Sequence, residues 1–134
     1  LSTDAPLSVA KRAAGILRES GVSNRPGLFK GLKAIGWRQP RLGCCQLSTN
    51  IVDPERVNMG CLFRATTRLV RAMSYDSRGS EPIGMIPRKY LEAAGQYLDS
   101  SDGHQLGIAV RELGLDTLNK FDLNKRILEA AIGI

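Results

Sequence analysis

Apolar positions recur along this chain with two periods, and the switches between them mark its elements. Over residues 4–20, Val9, Ala13, Ile16 and Leu17 return at helical spacing while Lys11, Arg12 and Arg18 fall outside the stripe. The spacing predicts an amphipathic helix, capped by Thr3 or Asp4, with Pro6 in its first turn and Gly21 as its stop. Ser23, Asn24, Pro26, Gly27 and Gly31 then make residues 22–31 a loop, basic through Arg25 and Lys30. From there the period shortens to two. Cys45, Leu47, Thr49 and Ile51 alternate with Cys44, Gln46, Ser48 and Asn50, so one face of a strand over 44–52 meets a core and the other meets solvent, a ligand or a partner. Residues 32–38 form its hairpin mate, joined through Gln39–Gly43, a five-residue connection holding both Pro and Gly. Gly36 interrupts the first strand where another backbone or a ligand comes close, and Trp37 reads as a packing residue.

Asp53-Pro54 closes the hairpin and opens a helix over about 55–74, with Val57, Cys61, Leu62, Ala65, Leu69 and Met73 at helical spacing. Arg64, Arg68 and Arg71 lie on another side of it and read as a solvated face. After a polar loop at 74–78, Gly79–Pro87 reads as a short strand running directly into a helix at 88–98. In that strand Gly84 would clear one sheet face and Ser80 and Glu81 would put polar atoms beside the opening. Pro82 removes a ladder donor, which places it at an edge. The loop Asp99–Gly103, a helix at 104–113 ended by Gly114, a connector at 115–120 and a last helix from Asp122 through Ala131 complete the chain. The lone His104, at a loop-to-helix junction, reads as surface.

Length and composition narrow this without deciding it. A chain of 134 residues is expected to form one domain, residues 1–134, around a single core. It opens on Leu1, so it is read as a piece of something longer. No apolar run approaches the roughly 20 residues of a membrane helix, and no secretory leader pattern is visible. The net charge of +6 favours an anionic partner: nucleic acid, a phosphate or a polycarboxylate. Three cysteines and one histidine, without a CxxC pair, do not make a zinc set, so no metal is expected and reduced thiols in the cytoplasm are.

The order helix, strand, strand, helix, strand, helices is that of a ferredoxin-like split βαβ sandwich lacking its first strand. The expected class is therefore α+β, with a mixed or antiparallel sheet, helices on one face and extra C-terminal helices. No strand is read before the first helix, which leaves three alternatives: the chain is a fragment, the fold is a three-stranded variant, or another segment fills the gap.

Four blocks resemble one family. They are Ala34-Ile35-Gly36-Trp37, Gln46-Leu47-Ser48-Thr49-Asn50-Ile51-Val52-Asp53, the nonapeptide Gly79–Pro87, and Glu112-Leu113-Gly114-Leu115-Asp116-Thr117-Leu118. In this order they are similar to the glutamate formimidoyltransferase (formiminotransferase) family, and to its C-terminal subdomain. That resemblance implies transfer of a formimino group between N-formimino-L-glutamate and tetrahydrofolate in histidine degradation, by a cytoplasmic enzyme expected to be a homo-oligomer. It implies tetrahydrofolate as substrate, bound in a cleft between two subdomains. The catalytic histidine belongs to the N-terminal subdomain, which becomes the expected partner. No residue of this chain is expected to be catalytic, and His104 is not a substitute, so the chain alone is expected to be inactive. The candidate folate-cleft residues are Gly36, Gln46, Ser48, Asn50, Ser80, Glu81 and Gly84, a polar floor with a cleared spot. The positive charge suits a folate or folate polyglutamate. Two alternatives stand beside this: a non-catalytic folate-binding relic, and a basic module that binds RNA or another ligand on an open sheet. RNA readers stack bases on strand aromatics, and these strands offer only Trp37, with no aromatic expected on the polar face. Neither a nucleic-acid nor a membrane partner is expected.

Overall fold

The computed structural model describes residues 1–101 and 103–134; Asp102, in the loop expected at Asp99–Gly103, lies outside the described residues. The elements are helix α1 (Leu7–Leu17), strand β1 (Leu32–Gln39), strand β2 (Cys44–Ile51), and helices α2 (Met59–Ala72), α3 (Arg88–Leu98), α4 (Gln105–Glu112), α5 (Leu123–Arg126) and α6 (Leu128–Ala131). The class is α+β, as expected, with one two-stranded antiparallel sheet among the described residues. The chain falls into two compact units. One comprises residues 1–57 and 64–77; the other comprises residues 58–63 and 78–134.

In the first unit the hairpin forms where the period-two pattern places it. Its turn is a single 3-10 turn at Pro40–Leu42, in which the Arg41 N–H donates to the Gln39 side-chain oxygen at 3.3 Å and the Gly43 N–H to the Pro40 carbonyl at 3.1 Å. Helix α1 lies over one face of the hairpin. Its backbone comes so close that a Cβ on Gly36 would stand 2.4 Å from the Ala10 carbonyl carbon. The strand glycine thus marks the close approach expected of it. Val9 and Ala13 of α1 pack with Val70 of α2, and Leu47 and Met73 close around them. The helix begins later than the pattern indicates. Thr3 and Asp4 lie in a turn closed by the Ala5 N–H on the Ser2 carbonyl, Pro6 is the cap residue, and no side chain caps the helix.

The second unit is helical. Leu91, Ala94, Leu106, Ala109, Leu113, Leu115, Phe121 and Ile127 are buried together. Helix α2 enters from here, and it starts at Met59 rather than near residue 55. The Asn58 side chain accepts the N–H groups of Gly60 at 2.8 Å and Cys61 at 3.2 Å and so fixes the start. Asp53, where the sequence opens the helix, closes only a turn, taking the Arg56 and Val57 N–H groups on its carbonyl.

Two expectations are corrected in this unit. Gly79–Pro87 is not a sheet strand: only Ile86 pairs, in an isolated parallel bridge to Ile127. Pro82 has no N–H to give a ladder, and Gly84 takes φ +78°, outside the extended region. The last helix is also divided. Asp122 caps it as expected, accepting the Asn124 N–H at 3.0 Å, but Ile127 turns extended (φ −86°, ψ 123°) to meet Ile86 and separates α5 from α6. His104, read as surface, is the cap of α4 and accepts the Gly107 N–H on Nδ1 at 3.1 Å.

Candidate functional site

Cross-strand partners in an antiparallel pair share a face, so the hairpin register sorts every side chain. The pairs Leu32–Ile51, Ala34–Thr49, Gly36–Leu47 and Arg38–Cys45 make the inner face, which α1 covers. The pairs Lys33–Asn50, Ile35–Ser48, Trp37–Gln46 and Gln39–Cys44 make the outer face. On it Lys33, Ile35, Trp37, Ser48 and Asn50 are exposed, Gln39 and Gln46 are half-buried, and Cys44, beside the turn, is buried. The polar row Gln46, Ser48, Asn50 thus lies on one face, as the alternation requires.

The register corrects one expectation about that face. Trp37 lies directly across from Gln46, so the polar face does carry an aromatic. It is 40% exposed, and Ile35, two residues along the same strand, is 59% exposed, so Trp37 is not the packing residue the sequence suggested. The outer face is therefore two rails. Strand β1 supplies Lys33, Ile35 and Trp37; strand β2 supplies an amide, a hydroxyl and a second amide. Lys33 is the only ionised side chain among the eight, and none of the eight is acidic. Sequence reasoning missed Trp37 and Ile35 because it assigned faces within the second strand alone. The expected five-residue connection pairs Arg38 with Cys44 and so sets Trp37 across from Cys45 on the core face, whereas the strands pair one residue further, Gln39 with Cys44, and a one-residue shift moves every side chain to the other face.

The other candidates lie elsewhere. Gly36 is on the inner face, against the α1 backbone. Ser80, Glu81 and Gly84 belong to the second unit and to no strand, so the expectation that they share a sheet with Ser48 and Asn50 does not hold. The Ser80 N–H donates to the Gly114 carbonyl at 3.2 Å, and Glu81 Oε1 accepts from the Asn119 amide at 3.5 Å. Gly84 has open space around it, with no atom within 4 Å of a Cβ built there. The Arg126 guanidinium donates to the Pro82 carbonyl and holds this stretch to the end of α5. An open hollow of about 550 Å³ in the same unit, lined in part by Val110, Arg111, Asp116, Thr117 and Phe121, takes in none of the seven candidates.

The four similar blocks meet in two pairs. The first two are the strands of the hairpin, and the last two touch at Gly79 and Gly114, where a Cβ on Gly79 would stand 2.7 Å from the Gly114 carbonyl oxygen. An α+β chain with this hairpin and this Gly–Gly contact matches a known family over almost its whole length. Residues 3–133 fit the family model of the formiminotransferase domain, and the chain belongs to that family.

Among its relatives, the formimidoyltransferase-cyclodeaminase of Sus scrofa is 35% identical over 128 residues. That of Mus musculus is 34% identical over 128 residues, and that of Gallus gallus 30% over 129. In each case the match covers 90% of this chain and 24% of the relative, so the chain spans about a quarter of the length of the curated relatives it matches. No described helix is long and apolar enough to cross a membrane.

Proposed function

We propose that this chain is the C-terminal subdomain of a folate-dependent formimidoyltransferase, and that the outer face of its hairpin forms part of the folate-binding wall. The reaction moves the formimino group from the amino nitrogen of N-formimino-L-glutamate to tetrahydrofolate and releases glutamate, a step of histidine degradation. The chain supplies binding surface; the catalytic histidine comes from an N-terminal subdomain, its partner in an oligomeric cytoplasmic enzyme. Residues 1–134 act as one functional domain in that enzyme.

The observation that carries this reading is the outer face itself. Gln46, Ser48 and Asn50 present amide and hydroxyl groups in a row, beside one lysine and no carboxylate. A pterin edge offers donors and acceptors in the same plane, and a folate tail is anionic. Gly36 serves by letting α1 seat the hairpin.

The test is formimino transfer from N-formimino-L-glutamate to tetrahydrofolate, with this chain and an N-terminal formiminotransferase subdomain supplied separately and together. Transfer is expected only with both present. Ser48→Ala and Asn50→Ala should each raise KM for tetrahydrofolate several-fold while leaving kcat within about twofold, the pattern of lost uniform binding. Absence of transfer with both parts present and folded overturns the reading.

A further inference from the structure

Trp37 is the one tryptophan of the chain and stands on the outer face. We infer that Trp37 and Ile35 form the plane against which the flat ring system of the folate lies, with the β2 row as its hydrogen-bonding edge. This rests on the reading of the outer face as a folate wall and adds the residues that give the wall its shape selectivity.

Residues two apart on a strand are separated by roughly 7 Å, close to the length of a fused bicyclic ring. Ile35 and Trp37 thus offer one continuous apolar strip of that length, both exposed. Their direct partners are Ser48 and Gln46, which lie about 5 Å away across the hairpin. A ligand lying on both rails needs an apolar planar face and donors and acceptors along one side. An aliphatic ligand would waste the tryptophan plane, and a purely hydrocarbon ring would desolvate the exposed Ser48 and Asn50 without offering them a hydrogen bond. Charge points the same way. Lys33 is the only ion among the eight outer-face residues, at the far end of the strip from the turn, and it complements an acidic tail rather than a cation. On the reading of this face as a folate wall, the bicyclic ring is thus held by stacking on Trp37 and Ile35 and not by the tail alone.

A single tryptophan makes the test direct, because the ¹⁵N-labelled chain gives one indole N–H resonance. Folic acid and p-aminobenzoylglutamate, which is the tail without the pteridine, are titrated in parallel, with affinities taken from equilibrium dialysis. Folic acid should shift the indole resonance and p-aminobenzoylglutamate should leave it in place. Trp37→Ala should weaken folic acid binding about tenfold and Trp37→Phe threefold or less, with urea midpoints confirming that both variants fold. Folic acid binding with unchanged affinity in Trp37→Ala and no movement of the wild-type indole resonance overturns the inference while leaving the proposed function standing. A shift equally large with p-aminobenzoylglutamate also overturns it, since the tail would then occupy the plane. If the chain binds no folic acid either alone or with the N-terminal subdomain, the proposed function fails and the inference with it.

Discussion

Gly79 and Gly114 stand in van der Waals contact, and neither has room for a side chain toward the other: a Cβ on Gly79 would lie 2.7 Å from the Gly114 carbonyl oxygen and one on Gly114 2.8 Å from the Gly79 Cα. Gly79 also takes φ +138°, a region that side chains with a Cβ rarely enter. The contact joins two of the four blocks that resemble the formiminotransferase family, 35 residues apart in sequence. In Gly79→Ala the strained backbone and the backbone clash act together, and the expected destabilisation is about 2–4 kcal/mol. Gly84 supplies the internal control. It too has positive φ, +78°, but open space around it, so Gly84→Ala should cost only about 1 kcal/mol. Urea midpoints of the two variants decide the matter. Equal losses would mean that the Gly79–Gly114 contact contributes nothing beyond its φ.

Gly36 answers a different question, how tightly α1 seats the hairpin. A Cβ there would meet the Ala10 carbonyl carbon and the Lys11 nitrogen at 2.4 Å, both backbone atoms that cannot swing aside. Gly36→Ala must push the helix off the sheet, at an expected cost of about 1–3 kcal/mol. Trp37 is the next residue, so the near-ultraviolet circular dichroism of its indole should change with the stability. A variant as stable as the parent, with an unchanged indole spectrum, would falsify the close approach.

The hairpin was legible because period-two alternation, a Pro/Gly connection and a strand glycine all agree on it. Residue ranges came out within a residue or so at both strands, and at α3 the expected bounds match. What failed did so where a local signal met a competing one. Gly79–Pro87 carries strand-forming Ile and Met, but Pro82 and the positive φ of Gly84 prevent a ladder, leaving one bridge at Ile86. That same bridge divides the last helix at Ile127, a long-range pairing that no window of helical spacing contains. The sequence opens α2 directly after Asp53-Pro54, whereas the helix starts at Met59, where the Asn58 side chain accepts the Gly60 N–H at 2.8 Å and donates to the Ala93 carbonyl at 3.0 Å. The composition of the candidate site was half legible. Gln46, Ser48 and Asn50 followed from one strand, whereas Trp37 and Ile35 required the register between two.

Asp122 tests whether α5, only four residues long, is held by its cap. Its carboxylate accepts the Asn124 N–H at 3.0 Å, and the Phe121 beside it is buried in the core. Asp122→Ala should cost about 1 kcal/mol and Asp122→Asn much less, because asparagine caps nearly as well. Hydrogen exchange at Lys125, Arg126 and Ile127, whose N–H groups bond within this turn, should rise in the alanine variant first. Exchange that rises equally in both variants would assign the turn's stability to Ile127 packing instead.

Acid should loosen the start of α3 by a route that can be traced to one residue. Pro87 occupies the cap position and offers no side-chain acceptor, so the first N–H groups of the helix need an outside partner. Glu129 of α6 provides it, accepting the Arg88 N–H on Oε2 at 2.8 Å. That hydrogen bond, then one from the backbone N–H of Glu129 itself and, as a lesser contribution, the Arg88 charge hold the Glu129 carboxyl below the ordinary glutamate range. Because the folded state lowers this pKa, the unfolded chain binds the proton first as pH falls, and folding loses the contribution with acid. Stabilisation from this contact should be complete above the ordinary carboxylate range, about pH 5 and higher, and should decline as pH falls through the lowered value. Glu129→Gln keeps an acceptor oxygen but does not titrate, so it should flatten this part of the pH–stability curve. Asp76, lowered chiefly by the Ser77 N–H and then by Arg71, titrates in the first unit and should leave its own acid limb intact in the variant. The measurement is urea unfolding between pH 3 and 7 for parent and Glu129→Gln, with exchange at Arg88 as the local readout. Parallel curves, and Arg88 exchange that ignores pH, would show that another group supplies the cap.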